Sequence, residues 1–211
     1  MKYYIIAGEA SGDLHASNLM KALLVEDPNA TFRFWGGDKM QAVGGTLVKH
    51  YKELAFMGFW EVFINLFTIL KNISFCKKDI VSFNPDAIIY IDYPGFNLRI
   101  AAWAKKQGFK NLYYISPQIW AWKENRIAKI KRDLDALYVI LPFEKSYYKD
   151  KHNFKVQFVG NPLVDVVQES LKENDTFRAD QKLDANKPII ALLPGSRKQE
   201  IIKMMPTFIA V

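Results

Sequence analysis

Short runs of β-branched and aromatic residues at 2–7, 31–35, 86–91, 111–115, 135–141 and 155–159 alternate with segments of helical spacing. That alternation constrains the fold more than any other feature, because each crossover through a helix returns the chain to a strand parallel to the last. Asp13 to Glu26 reads as a helix with Leu19, Leu23 and Leu24 facing inward and Pro28 beyond its end. Asn97 to Gln107 reads the same way and stops at Gly108. The expected class is therefore α/β with a parallel sheet. With 211 residues, half of them hydrophobic and 14% aromatic, the chain has enough apolar material for one core and the start of a second.

The pattern changes after Gly160-Asn161-Pro162. Residues 1–163 form the expected first domain. A helix from Val164 to Lys172 and the polar stretch to Lys187 make a joint over 164–187. Residues 188–211 open a second α/β domain, with a buried strand over Pro188 to Leu193 and a helix after it. One strand and one helix cannot cover both faces of a sheet, so this second domain is expected to be incomplete.

Basic residues exceed acidic ones by a net charge of +7, which favours phosphate-bearing ligands or an anionic membrane surface. The single cysteine, Cys76, cannot form an intramolecular disulfide, and Met1 to Ala7 runs straight into a strand without signal-peptide architecture. Both point to the cytoplasm. Leu54 to Cys76 is mostly apolar and approaches the roughly 20 residues that span a bilayer. Glu61, Asn65, Thr68 and Asn72 place a polar stripe along it, so it is expected to be a buried or interfacial helix.

In an open parallel sheet, ligands bind beyond the carboxyl ends of the strands. The chain's unusual loops all fall there. Gly8-Glu9-Ala10-Ser11-Gly12-Asp13 follows the first strand, with Glu9, Ser11 and Asp13 open to either helix capping or ligand contact. Asp92 emerges from the apolar run Ala87 to Ile91, before a Pro94-Gly95 turn and Asn97; it is either a pocket-wall carboxylate or a helix cap. Ser116-Pro117-Gln118-Ile119-Trp120-Ala121-Trp122 would expose large apolar area unless a sugar or acyl surface, or its own sheet, covers it. Pro142-Phe143-Glu144 follows a further strand. Lys123, Arg126, Lys129, Lys131 and Arg132 read as a solvated face that could also attract anionic lipid.

Gly195-Ser196-Arg197 has the form of a phosphate cradle, with a plain turn as the alternative. No His, Cys or carboxylate cluster has metal-ligand spacing, so neither a metal nor another cofactor is expected. The first turn lacks the glycine spacing for a dinucleotide, and no nucleic-acid-binding module is recognisable.

Taken in order, the Gly8–Asp13 turn, Met57-Gly58 with Glu61-Val62, Asp92 to Asn97, Ser116-Pro117 with Trp120-Ala121-Trp122, Pro142-Phe143-Glu144, Val159 to Leu163, and Leu193 to Arg197 with Glu200 resemble the lipid A disaccharide synthases. The resemblance covers nearly the whole chain. It implies a Rossmann-like sheet of the GT-B type, an acceptor domain followed by an incomplete nucleotide-sugar domain, and peripheral association with the inner-membrane surface. The implied reaction transfers 2,3-diacylglucosamine from UDP-2,3-diacylglucosamine to 2,3-diacylglucosamine 1-phosphate with inversion, releasing UDP. The roles implied are Asp92 as base, with Glu9 beside it. Ser11, Asp13, Asn97, Ser116, Gln118, Trp120, Trp122, Glu144 and Asn161 would bind substrate, and Gly195, Ser196 and Arg197 would meet the diphosphate. Phe59, Trp60, Phe63, Phe67 and Leu70 would form an acyl or membrane patch, unless they are core. His15 is a reserve base. Gly95 and Asn161 depart from the acidic residue and histidine commoner there in the family. The family continues beyond Val211, so the chain alone is expected to be an inactive fragment; a homo-oligomer is left open. A noncatalytic lipid-binding module, or another UDP-sugar enzyme of the same architecture, is the alternative.

Overall fold

The computed structural model describes residues 1–54, 66–172, 176–184, 186–195 and 198–210. Strands β1 (Lys2–Ala7), β2 (Thr31–Gly36), β3 (Thr46–His50), β4 (Ala87–Ile91), β5 (Asn111–Tyr114), β6 (Ala136–Val139) and β7 (Gln157–Phe158) form one sheet in the order β3-β2-β1-β4-β5-β6-β7. Every neighbouring pair is parallel. Helices α1 (Ala10–Glu26), α2 (Asp38–Val43), α3 (Leu66–Phe83), α4 (Pro94–Lys106), α5 (Ile127–Asp133) and α6 (Pro142–Ser146) occupy the connections, giving a Rossmann-like α/β fold.

The strands read as continuous apolar runs because both faces are covered. Tyr4, Ile6, Trp35, Ile88 and Tyr90 point to one side, where Ile73, Cys76 and Ile80 of α3 and Ile100, Ala101 and Ala104 of α4 meet them. Tyr3, Ile5, Ala7, Phe34, Ile89 and Ile91 point to the other, beneath Ala16 and Met20 of α1 and Met40 of α2. Each large side chain so buried contributes about 1.5 to 3 kcal/mol. Helix α1 sits close to the sheet because Gly12 has no side chain: a Cβ there would lie 3.2 Å from that of Ala7.

Several elements differ from the sequence expectation. β3 has no counterpart there, because Thr46-Leu47-Val48-Lys49-His50 mixes polar and apolar residues on a half-buried edge strand. Helices α1 and α4 start at Ala10 and Pro94 rather than Asp13 and Asn97, which moves Asp13 and Asn97 inside the first turns. In α3, Asn72 is 8% exposed and turns toward the core, so it does not share an outward polar stripe with exposed Thr68; Glu61 and Asn65 lie outside the described residues. No described helix is long and apolar enough to cross a membrane.

The chain divides into two compact units, Met1–Leu163 and Val164–Val211. The second contains α7 (Leu163–Lys172, apart from its first residue), α8 (Phe177–Asp180) and α9 (Lys198–Ile209). Pro188 to Leu193 is not the buried strand its composition suggests: it is irregular, with Ile190 83% and Leu193 85% exposed. A strand exists by pairing, and no strand of the described sheet lies in this unit.

Candidate active site at the carboxyl rim of the sheet

The strand order reverses between β1 and β4, and the crevice beyond their carboxyl ends is where open α/β sheets bind ligands. The loops after β1 and β4 meet there. Gly8 lies under the Tyr93 ring, and a Cβ at Gly8 would sit 2.4 Å from it, so only glycine fits. Half-buried Glu9 acts electrostatically on both Asp92 and Tyr93.

Asp92 and Tyr93 are both left-handed, with φ of 41° and 48°, an arrangement that costs about 1 to 2 kcal/mol per residue. Three side chains hold it. Asn97 Nδ2 lies 2.7 Å from the Asp92 carbonyl and 3.3 Å from that of Ile91, and the Tyr113 hydroxyl donates to the Asp92 carbonyl at 2.5 Å; Pro94 fixes the next residue at the start of α4. Asp92 is not the cap of α4: Tyr93 occupies that position and no side chain caps the helix. Asp92 is exposed as a residue, yet its surroundings remove part of the hydration of its carboxyl group. That loss of hydration raises its pKa first, and the charge of Glu9 raises it further; the Tyr93 amide and Arg126 pull the other way.

Left-handed backbone recurs along this rim. Ile115 after β5 has φ 65° and Lys123 has φ 56°; for a β-branched residue this is a true outlier. Strain of this kind persists only where surrounding contacts over-determine it, and it concentrates at functional sites.

Several residues expected to bind ligand also make framework hydrogen bonds. Asp13 is 3% exposed, and its carboxylate accepts the amides of Gly37, Lys39 and Met40 at 2.8, 3.0 and 3.1 Å. It therefore caps α2 across space rather than α1 or a ligand. Asn97 is fully buried and positions Asp92. Ser116 is 3% exposed, with Oγ 2.7 Å from the Tyr148 hydroxyl. Glu144 is 1% exposed and accepts the Ile140 and Leu141 amides, with Trp120 as a further donor; burial raises its pKa. Asn161 follows β7, three strands from β4 or roughly 14 Å across the sheet, and its Oδ1 accepts the Leu163 amide at the start of α7. The structure thus gives each of these five, expected as ligand contacts, at least one hydrogen bond within the framework; the Oδ1 of buried Asn97 has no such partner.

Ser11 and Gln118 are exposed at the rim. Trp120 packs edge-on against Phe143 at 5.0 Å, so its loop is partly covered by its own fold. Trp122 stands out, 58% exposed. His15 is half-buried in α1 and burial lowers its pKa. Phe67 and Leu70 are 86% and 52% exposed, so these two are not core; Phe59, Trp60 and Phe63 lie outside the described residues. In the second unit Gly195 has φ 103°, and a Cβ there would meet Glu200 Oε2 at 2.5 Å. The Glu200 carboxylate thus lies close to Gly195. Ser196 and Arg197 lie outside the described residues.

The rim also contains groups to which the sequence analysis assigned no part in the site. Tyr113 holds the Asp92 turn, Tyr93 covers Gly8, and half-buried Arg126 acts on Asp92 and on buried Tyr113. Arg126 was hidden in a basic stretch, and the left-handed Lys123 between it and Trp122 removes any helical spacing that could have marked it.

The family model for lipid-A-disaccharide synthetase matches residues 3–211. The chain belongs to the lipid-A-disaccharide synthetase family. Relatives named lipid-A-disaccharide synthase include that of Geobacter metallireducens, 43% identical over 97% of this chain and 53% of its own length. The Coxiella burnetii protein is 42% identical over 97% of this chain and 54% of its own. The Idiomarina loihiensis protein is 41% identical over 100% and 55%. This lipid-A-disaccharide synthetase family chain thus spans about half the length of the curated relatives it matches. Among solved structures, UDP-GlcNAc 2-epimerase from Neisseria meningitidis bound to UDP-GlcNAc superposes with a TM-score of 0.61 at 11% identity, over 90% of this chain and 54% of that one. The epimerase from Methanocaldococcus jannaschii gives 0.55 at 17% identity, over 86% and 52%. At such identities the likeness concerns the fold.

Proposed function

We propose that this chain supplies the acceptor side and the catalytic base of a lipid A disaccharide synthase. In that reaction 2,3-diacylglucosamine moves from UDP-2,3-diacylglucosamine to the 6-hydroxyl of 2,3-diacylglucosamine 1-phosphate. Asp92 takes the hydroxyl proton as the oxygen attacks the anomeric carbon; the bond from that carbon to the diphosphate breaks, and UDP leaves with the electron pair. Inversion follows from the single displacement. The observation that carries this assignment is an exposed aspartate on a strained turn at the sheet's switch point, with its pKa raised by lost hydration and by Glu9. A carboxylate so shifted is a better base at neutral pH than an ordinary one. A noncatalytic lipid-binding module would gain nothing from that strain.

Glu9 orients the acceptor and keeps Asp92 basic. Because Gly95 stands where the family often has an acid, Asp92 is the only carboxylate of its own loop, and the proton transfer rests on it alone. Exposed Phe67 and Leu70, with Phe59, Trp60 and Phe63, meet acyl chains at the inner-membrane surface on the cytoplasmic side. Gly195, Ser196 and Arg197 belong to the part that holds the uridine diphosphate.

In the complete enzyme, Asp92→Asn is expected to lower turnover roughly 100-fold to 10,000-fold with the fold intact by circular dichroism. Turnover near that of the wild type removes Asp92 as the base.

A further inference from the structure

Trp122, Lys123 and Arg126 form a cluster that sugar stacking does not account for. The Lys123 ammonium lies 4.3 Å from the Trp122 ring centre and the Arg126 guanidinium carbon 5.3 Å from it. Both cations therefore lie within cation–π range of one indole, and like charges that share a ring repel each other. The acid between them offers no relief. Glu124 Oε1 takes the Lys151 ammonium at 2.7 Å and the Tyr147 hydroxyl at 3.0 Å, and lies 3.1 Å from His152 Nε2. Among the described residues, neither Lys123 nor Arg126 forms an ion pair with a carboxylate. The Lys123 backbone is left-handed, so the chain spends conformational energy at this point of the cluster.

We propose that Lys123 and Arg126, held on Trp122 beside Asp92, form the subsite that binds a phosphate monoester carried by the acceptor sugar. This rests on the rim being the acceptor site. The chemistry favours a dianion: a guanidinium fork takes two phosphate oxygens in its plane, and an ammonium adds a point charge for the remaining negative charge. A neutral sugar would bring no countercharge to Lys123, and none to Arg126 beyond the field of Asp92. The same phosphate chemistry occurs in anionic lipid headgroups, and the test separates the two sources.

The full chain is titrated by calorimetry with N-acetylglucosamine 1-phosphate and with N-acetylglucosamine, and by co-sedimentation with phosphatidylglycerol vesicles. The phosphate ester is expected to bind at least about tenfold more tightly than the neutral sugar, with affinity falling as salt rises. Arg126→Ala is expected to weaken the ester at least about tenfold, with part of the loss restored by Arg126→Lys. Lys123→Ala, at an exposed position, is expected to weaken it a few-fold. Equal or undetectable binding of both sugars, ester binding unchanged by Arg126→Ala and Lys123→Ala, or losses confined to the vesicles would each overturn the subsite. Those results leave the base untouched, since the Asp92→Asn turnover assay does not depend on them; a failed Asp92→Asn assay with intact ester selectivity would instead remove the base and keep the subsite.

Discussion

Where the strands begin, left-handed backbone falls on Gly44, Gly45, Asn84, Gly108 and Asn153; where they end, it falls on Gly160 but also on Asp92, Tyr93, Ile115 and Lys123. Asparagine and glycine adopt that conformation cheaply, whereas tyrosine, isoleucine and lysine do not. Among the acids Asp92 is the one that stands apart, since Asp13 and Glu144 at the finishing edge are held by backbone amides. At the starting edge Asp86 accepts the Lys2 amide at 2.7 Å, and Asp135 accepts the Asn111 amide at 2.8 Å and the Lys105 ammonium. At the finishing edge Asp92 has a like-charged neighbour in Glu9. The Asp135 pKa is lowered by its Asn111 and Lys105 hydrogen bonds, against the opposing effect of burial, while that of Asp92 is raised. One edge is arranged for stability and the other gives some of it up. A shallow depression lined by Lys105, Gly108, Phe109, Lys110 and Asp135 lies on the stable edge, and its acid is already paired.

The contrast is broken most readily at the residue that holds the strained turn. Asn97→Ala in the complete enzyme is expected to lower kcat roughly 10-fold to 100-fold, because a misplaced base loses alignment. It should cost about 1 to 3 kcal/mol of stability from the carbonyls it leaves unpaired. Steady-state kinetics of the folded fraction measures this, and an unchanged kcat would show that the turn needs no such clamp.

A second test sets the two aspartates against each other by urea unfolding across pH. The depressed pKa of Asp135 contributes stability above its unfolded value, near 3.8, and that stability is lost as pH falls through the folded value. Asp135→Asn should therefore lower stability at pH 7 by about 1 to 2 kcal/mol, and by less in acid. The raised pKa of Asp92 works the other way: its contribution is present below the unfolded value and is lost as pH rises through the folded one. Asp92→Asn should stabilise the fold at pH 7, by less than about 1 kcal/mol given its exposure. Effects of the same sign in the two variants would erase the distinction between the edges. The smallest effect belongs to Lys105→Ala, which should leave turnover of the complete enzyme within about twofold, as a surface change away from the reacting groups does.

Much of the framework was legible because buried parallel strands must be apolar on both faces, as in Tyr3 to Ala7 and Ala87 to Ile91. The same reasoning failed at Thr46 to His50, where an edge strand needs less apolar sequence, and at Pro188 to Leu193, where an apolar run has no partner strand. At the rim, the sequence marks which residues are polar but not where their polar atoms are spent. Asp13, Asn97, Ser116, Glu144 and Asn161 carry the same signal as Asp92, yet four of them are almost wholly buried, and all five are engaged by the framework. The role of Arg126 depends on the loop geometry that brings it to Trp122, and no spacing rule fixes that.

The pH dependence of kcat/KM in the complete enzyme tests the account most directly. The acid limb should lie above the ordinary aspartate value of 3.8, move to higher pH in Arg126→Ala because a cation that favours the ionised form is gone, and disappear in Asp92→Asn. An acid limb that persists unchanged in Asp92→Asn would contradict the assignment of this rim carboxylate as the base.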